Sequence, residues 1–163
     1  MDKDYVNELE KRCEQLQDIV STFQPTTLNM MTWMLSAKKE QLYKNKIRWN
    51  YNGMSRLMLL REICTITFNF GRQSGHSTAI ETIRSTDPSQ HILIVPIRAM
   101  TIANTNAICL DKFEHTQPAS IDAKLILADN FLVGEYRYIE RLYTILTKSF
   151  VINNETPPII IIT

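Results

Sequence analysis

The chain has 163 residues, with 18 Lys and Arg against 17 Asp and Glu and a formal net charge of +1. That length bounds the organisation to one domain with a small helical appendage, and a hydrophobic share of 44% supports a packed core. Near-neutrality excludes a global basic field and leaves room only for a local patch, while the scattered Cys13, Cys64 and Cys109 exclude a disulfide framework or zinc cluster and fit a reducing compartment.

The opening MDKDYVNELEK is acidic and polar, unlike a signal peptide, and no apolar run reaches membrane-spanning length. An intracellular protein, cytoplasmic or nuclear, with no membrane association is expected. Residues 4 to 23 then read as a helix. Val6, Leu9, Cys13, Leu16, Val20 and Phe23 recur at alternating spacings of three and four, an a/d seam. The seam either covers its own domain or pairs two copies into a homo-oligomer through residues 6–23.

Gln24-Pro25 ends this helix, because proline pushes its predecessor out of helical geometry. Thr26 and Thr27 are N-cap candidates for a second helix with Leu28, Met31, Met34, Leu35 and Leu42 on its apolar face. Its end is the most basic stretch of the chain: Lys38, Lys39, Lys44, Lys46 and Arg48, with Tyr43, Trp49 and Tyr51 between them. Interleaved cations and aromatics suit a nucleic-acid contact; the same residues also suit a solvated helix end anchored by its aromatics. Asn52-Gly53 marks a turn, so residues 1–53 form an N-terminal helical segment and residues 54–163 a second unit.

In that second unit Ser55 caps a short helix over 56–62, which leads into a strand over Ile63 to Phe70. The strand breaks at Gly71 and the chain restarts after Gly75 with Ser77 and Thr78 opening a helix. Strand, glycine turn and helix N-terminus in this order can converge backbone N–H groups on an anion, with the helix dipole adding positive potential. Two of the four glycines of the chain lie here. Asp87-Pro88-Ser89 closes the helix. His91 to Ile97 is a buried parallel strand by its unbroken apolar character. Arg98 to Ile108 reads as a helix and 111–122 as a loop. Ala123 to Ala128 is a second apolar strand, ending in Asp129-Asn130. Residues 135–150 form an amphipathic helix with Tyr138, Ile139, Leu142, Ile145 and Leu146 inward, and Ile159 to Thr163 is a β-branched strand. Such units make an α/β protein with a mainly parallel sheet covered on both faces. Neither a metal cluster around His91 or His115 nor a Ser-His-Asp arrangement is present in the pattern.

Gly71-Arg72-Gln73-Ser74-Gly75-His76-Ser77-Thr78 resembles the phosphate-binding loop of the ATPase motors of viral large terminases, the DNA-packaging enzymes of tailed phages and related viruses. The order that follows is similar too: a buried strand, a Walker B-like LILA-Asp129-Asn130, and IIIIT where those motors carry a Thr-rich coupling strand. The resemblance spans about residues 55–163. It implies a P-loop NTPase-like three-layer sandwich, preceded by N-terminal helices, that binds Mg²⁺ and ATP. Residues 71–78 would cradle the nucleotide, Ser77 and Asp129 would hold the metal, and Arg72 would act near the γ-phosphate. It also implies viral origin, with DNA or another viral protein as partner.

The chain departs from that pattern at Phe70, at His76 and at Asn130. The missing lysine is a point charge on a long stem that reaches the β- and γ-phosphates. An imidazole is shorter and, with an ordinary pKa of about 6.5, mostly neutral at pH 7. Asn130 stands where the family has its catalytic glutamate, and an amide cannot accept the proton of an attacking water. Glu135 is the nearest acid that could replace it. The expectation is nucleotide binding with slow or absent hydrolysis; the alternative is a non-enzymatic interaction module on a degenerate P-loop fold, binding protein or nucleic acid.

Overall fold

A computed structural model describes residues 8, 11–12, 26–69, 75–102, 106–116, 123–132, 136–149 and 156–163. Helix α1 spans Thr27–Lys44. The expected N-cap is Thr26, whose hydroxyl accepts from Asn29 N–H at 3.2 Å, a contribution of about 1 kcal/mol. Next come α2 (Arg56–Met58), capped by Ser55, and a π-helical stretch Leu59–Cys64. The remaining elements are β1 (Thr65–Thr67), α3 (His76–Thr86), β2 (His91–Val95), a 3₁₀ turn Arg98–Ile102 and β3 (Ile108–Cys109). They are followed by α4 (Leu110–Thr116), β4 (Leu125–Ala128), α5 (Tyr136–Ser149) and β5 (Ile159–Ile162).

The five strands form one parallel sheet in the order β1-β5-β4-β2-β3. Side chains alternate across a strand, and the core divides accordingly. Ile66, Leu93, Val95, Leu125, Leu127, Ile159 and Ile161 face α1 and α3, meeting Met31, Leu35, Ala79, Ile80 and Ile83. Ile94, Ile126, Ala128, Ile160 and Ile162 face the other way, onto Leu60, Phe113, Leu142, Ile145 and Leu146. The chain moves out from β1 to β2 through α3 on one face and returns through α4 and α5 on the other, the division that a constant crossover hand imposes. The fold is therefore α/β, with a parallel sheet between two helical layers, as a P-loop NTPase-like three-layer sandwich requires. Met31 and Leu35 are buried in the same cluster as the sheet, so α1 is built into this body.

Several local expectations give way to tertiary effects. No long helix fills 98–108: after the short 3₁₀ turn, Ile108 and Cys109 pair with Ile94 and Val95 as an edge strand. Helix α4 occupies part of the stretch read as a loop, because Leu110 and Phe113 bury against the sheet. The short helix before β1 widens into π geometry, where Lys38 Nζ donates to Ile63 O at 3.0 Å and Thr65 Oγ1 donates to Leu60 O at 2.7 Å. These bonds satisfy carbonyls at the helix end. In the basic stretch, Trp49 and Tyr51 pack on the core while Tyr43 stays exposed. Their aromatics are anchors, with Arg56 stacked on Trp49 at 5.3 Å. The N-terminal seam and Cys13 lie outside the described residues. No described helix is long and apolar enough to cross a membrane.

Candidate nucleotide site

Of the residues that the sequence singled out, His76, Ser77, Asp129 and Asn130 come together at the carboxyl ends of β4 and β5. Gly75 is the N-cap of α3 and takes φ +73°, a left-handed conformation that glycine adopts without penalty. Helix α3 starts one residue later, at His76, just ahead of the Ser77 and Thr78 expected to open it. Ser77 and His76 therefore sit in its first turn, where the unpaired N–H groups of a helix point outward. Gly71, Arg72, Gln73 and Ser74, like Phe70 and Glu135, lie outside the described residues.

Asp129 follows β4 directly and is buried, with 5% of its surface exposed. Its backbone N–H donates to Ile94 O at 3.0 Å, extending the pairing with β2 by one residue. Its Oδ1 accepts from Ser77 Oγ at 3.2 Å and from Thr163 Oγ1 at 3.1 Å. His76 Nε2 lies 3.4 Å from the same oxygen and 3.4 Å from Asn130 Oδ1. Thr163 is itself held on both sides: its N–H donates to Ala128 O at 3.0 Å and its carbonyl accepts from Leu132 N–H at 2.9 Å. Three chain segments thus meet on one carboxylate oxygen.

The backbone explains one departure from the resembled pattern. Asn130 has φ +63°, a left-handed turn that asparagine tolerates better than glutamate. A glutamate there would be strained by about 1–2 kcal/mol. The departure at His76 has a geometric consequence as well. The ring turns toward Asp129 and Asn130 inside the protein, so this position takes part in an internal network where a lysine would extend to an anion.

Ser77 Oγ, Asp129 Oδ1 and Thr163 Oγ1 are hard oxygen donors of the kind that Mg²⁺ selects. Adjacent ligands around that ion are about 2.9 Å apart, given metal–oxygen distances of about 2.1 Å; the Ser77–Asp129 spacing of 3.2 Å is close to this. The residues fit the ion. Among the described residues no three His, Cys, Asp or Glu side chains converge as a metal cage. Sequence reasoning had Ser77 and Asp129 and missed Thr163. Its signal was a polar residue ending the run IIII, but its proximity to Asp129 depends on β5 lying beside β4.

A second polar cluster lies behind β1. Arg61 forms an ion pair with Glu140 and stacks over Tyr143 at 5.3 Å, and the Tyr143 hydroxyl meets Thr65 Oγ1 at 2.8 Å. Hydrogen bonds from Tyr136, then from Arg61, hold the Glu140 carboxyl below its ordinary range. These bonds fasten α5 to the π-helical stretch. No family model, no curated protein and no solved structure matches this chain.

Proposed function

We propose that this chain is a nucleotide-binding P-loop protein, resembling the ATPase of viral DNA-packaging terminases, that holds Mg-ATP and hydrolyses it slowly or not at all. The observation that carries this reading is the meeting of Ser77, Asp129 and Thr163 oxygens at the first turn of a helix capped by a left-handed glycine. Backbone N–H groups of Gly75 to Thr78 would bind phosphate oxygens, aided by the positive end of α3. Ser77 and Asp129 would hold Mg²⁺, which when bound neutralises phosphate charge. Arg72, by the resemblance, would act near the γ-phosphate. Asn130 orients by hydrogen bonding and accepts no proton, which accounts for weak turnover.

One observation favours a second reading, a non-enzymatic interaction module. His76 is engaged with Asp129 and Asn130 and leaves the phosphate position without the lysine's charge. DNA or another viral protein would be the partner under either reading.

Thermal denaturation with Mg-ATP and Mg-GTP separates the two. A ligand at a hundred times its Kd stabilises by about 2.7 kcal/mol, which for a chain of this size raises Tm by about 5–10 °C. Gly75→Val, with circular dichroism confirming the fold, should abolish that rise. His76→Lys should strengthen it while hydrolysis stays low, and Asn130→Glu added to His76→Lys should recover turnover. No rise for wild type or for His76→Lys establishes the interaction module instead.

A further inference from the structure

Helix α1 carries two apolar faces, and the sheet covers one of them. Met31 and Leu35 are buried in the same cluster as α3 and the strands, with Leu28 and Leu42 partly buried beside them. Met30, Trp33 and Met34 stay 39%, 73% and 37% exposed, and none of the three joins either core cluster. With the exposed Ala37 they recur at steps of three and four, which aligns them as one stripe along the helix. An indole and two methionines grouped at the surface mark a face that takes part in an interaction.

We propose that this stripe is the seat of the chain's own N-terminal segment, residues 6–23, folded back antiparallel over α1. The seam Val6, Leu9, Cys13, Leu16, Val20 and Phe23 needs an apolar partner, because an amphipathic helix gains most of its stability from packing such a face. The described residues of the segment, Glu8, Lys11 and Arg12, are helical and exposed, Arg12 pairs with Glu8 at 3.0 Å, and none belongs to the seam. Gln24, Pro25 and Thr26 alone separate Phe23 from the start of α1 at Thr27. Three residues span at most about 10 Å, so the two segments are neighbours, and a short connection sets them antiparallel. Helix α1 has 18 residues, the length of the segment itself, and spans about 27 Å. Counting equal steps outward from Pro25 sets Val20 opposite Met30, Leu16 opposite Met34 and Cys13 opposite Ala37. So short a tether gives an effective concentration on the order of millimolar, which favours this occupant over a second copy of the chain. The docking is independent of nucleotide binding at Ser77 and Asp129.

Cys13 supplies the test in the full chain, since Cys64 and Cys109 are buried. Ala37→Cys, at an exposed position, puts a second thiol opposite it. Oxidation with copper phenanthroline should join the two within one chain, read as a linked peptide pair by mass spectrometry. The yield should hold on about tenfold dilution, as an intramolecular reaction requires. A disulfide needs Cα atoms within about 7 Å, so Ser36→Cys, exposed beside the stripe on the polar side of α1, should stay largely reduced. Leu16→Asp added to Ala37→Cys should lose the bond, with circular dichroism confirming the fold. A bond between two chains that falls with dilution would assign the stripe to a second copy and overturn the proposal. Equal linking at positions 36 and 37 would show a segment that is tethered nearby without docking, and no linking at 37 would put the seam elsewhere; either result overturns it.

Discussion

Replacing Thr163 by valine keeps the shape of a buried side chain and deletes one hydroxyl, and the structure says what that hydroxyl does. It donates to Asp129 Oδ1 at 3.1 Å and accepts from Asn130 N–H at 3.4 Å. A hydrogen bond to a charged group contributes about 1.5–3 kcal/mol. The lower half of that range applies, since Oδ1 keeps its bond from Ser77 Oγ and the Asn130 contact is long. Thr163→Val should therefore destabilise the protein by about 2 kcal/mol, read as a lower urea midpoint at unchanged m-value. Asp129→Ala alone and in combination completes a double-mutant cycle, whose coupling energy should be about 1–2 kcal/mol. A coupling below about 0.3 kcal/mol, the level of independent sites, would refute the claim that Thr163 fixes the carboxylate. Under the proposed function the same substitution should also weaken Mg-nucleotide binding, because Asp129 loses one of the groups that aim it.

Gly75→Ala places a Cβ where, among the described residues, no atom beyond the chain neighbours lies within 4 Å, so the expected penalty is that of the left-handed backbone, about 1–2 kcal/mol in chemical denaturation. A loss well above that range would refute the backbone as its source. Burial pushes the Cys64 thiol up from an ordinary 9.0 to about 12. The folded state therefore holds the proton more tightly than the unfolded chain, and stability present below pH 9 should fall as pH rises from 9 toward 12. Cys64 should also resist alkylation at pH 8 until the protein is unfolded, checked by mass spectrometry of the labelled peptide. Arg141 joins α5 to Asp111 and Glu114 of α4; Arg141→Ala should lose about 1 kcal/mol at low salt and less in molar salt, since exposed pairs are screened.

Where secondary structure follows from local chemistry, the residues alone determined it. The apolar runs HILIV, LILA and IIII are β-branched or fully apolar and too short for helices, and each is a buried strand of the parallel sheet. The period of Leu142, Ile145 and Leu146 likewise marked the buried side of α5, and the hydroxyl of Thr26 marked the cap of α1. Gly75, His76 and Ser77 were legible as strand-turn-helix punctuation, because positive φ and a first helical turn are properties of adjacent residues. Neighbours in space but not in sequence were decided by the tertiary structure. Edge strand β3 exists only through its pairing with β2, and α4 only because Leu110 and Phe113 find the sheet. The strand order β1-β5-β4-β2-β3 brings Thr163 to Asp129, 34 positions away in the chain. No periodicity encodes that contact, since it arises from which strand lies beside which. The same holds for His76 and Asn130, which come from the start of α3 and the end of β4.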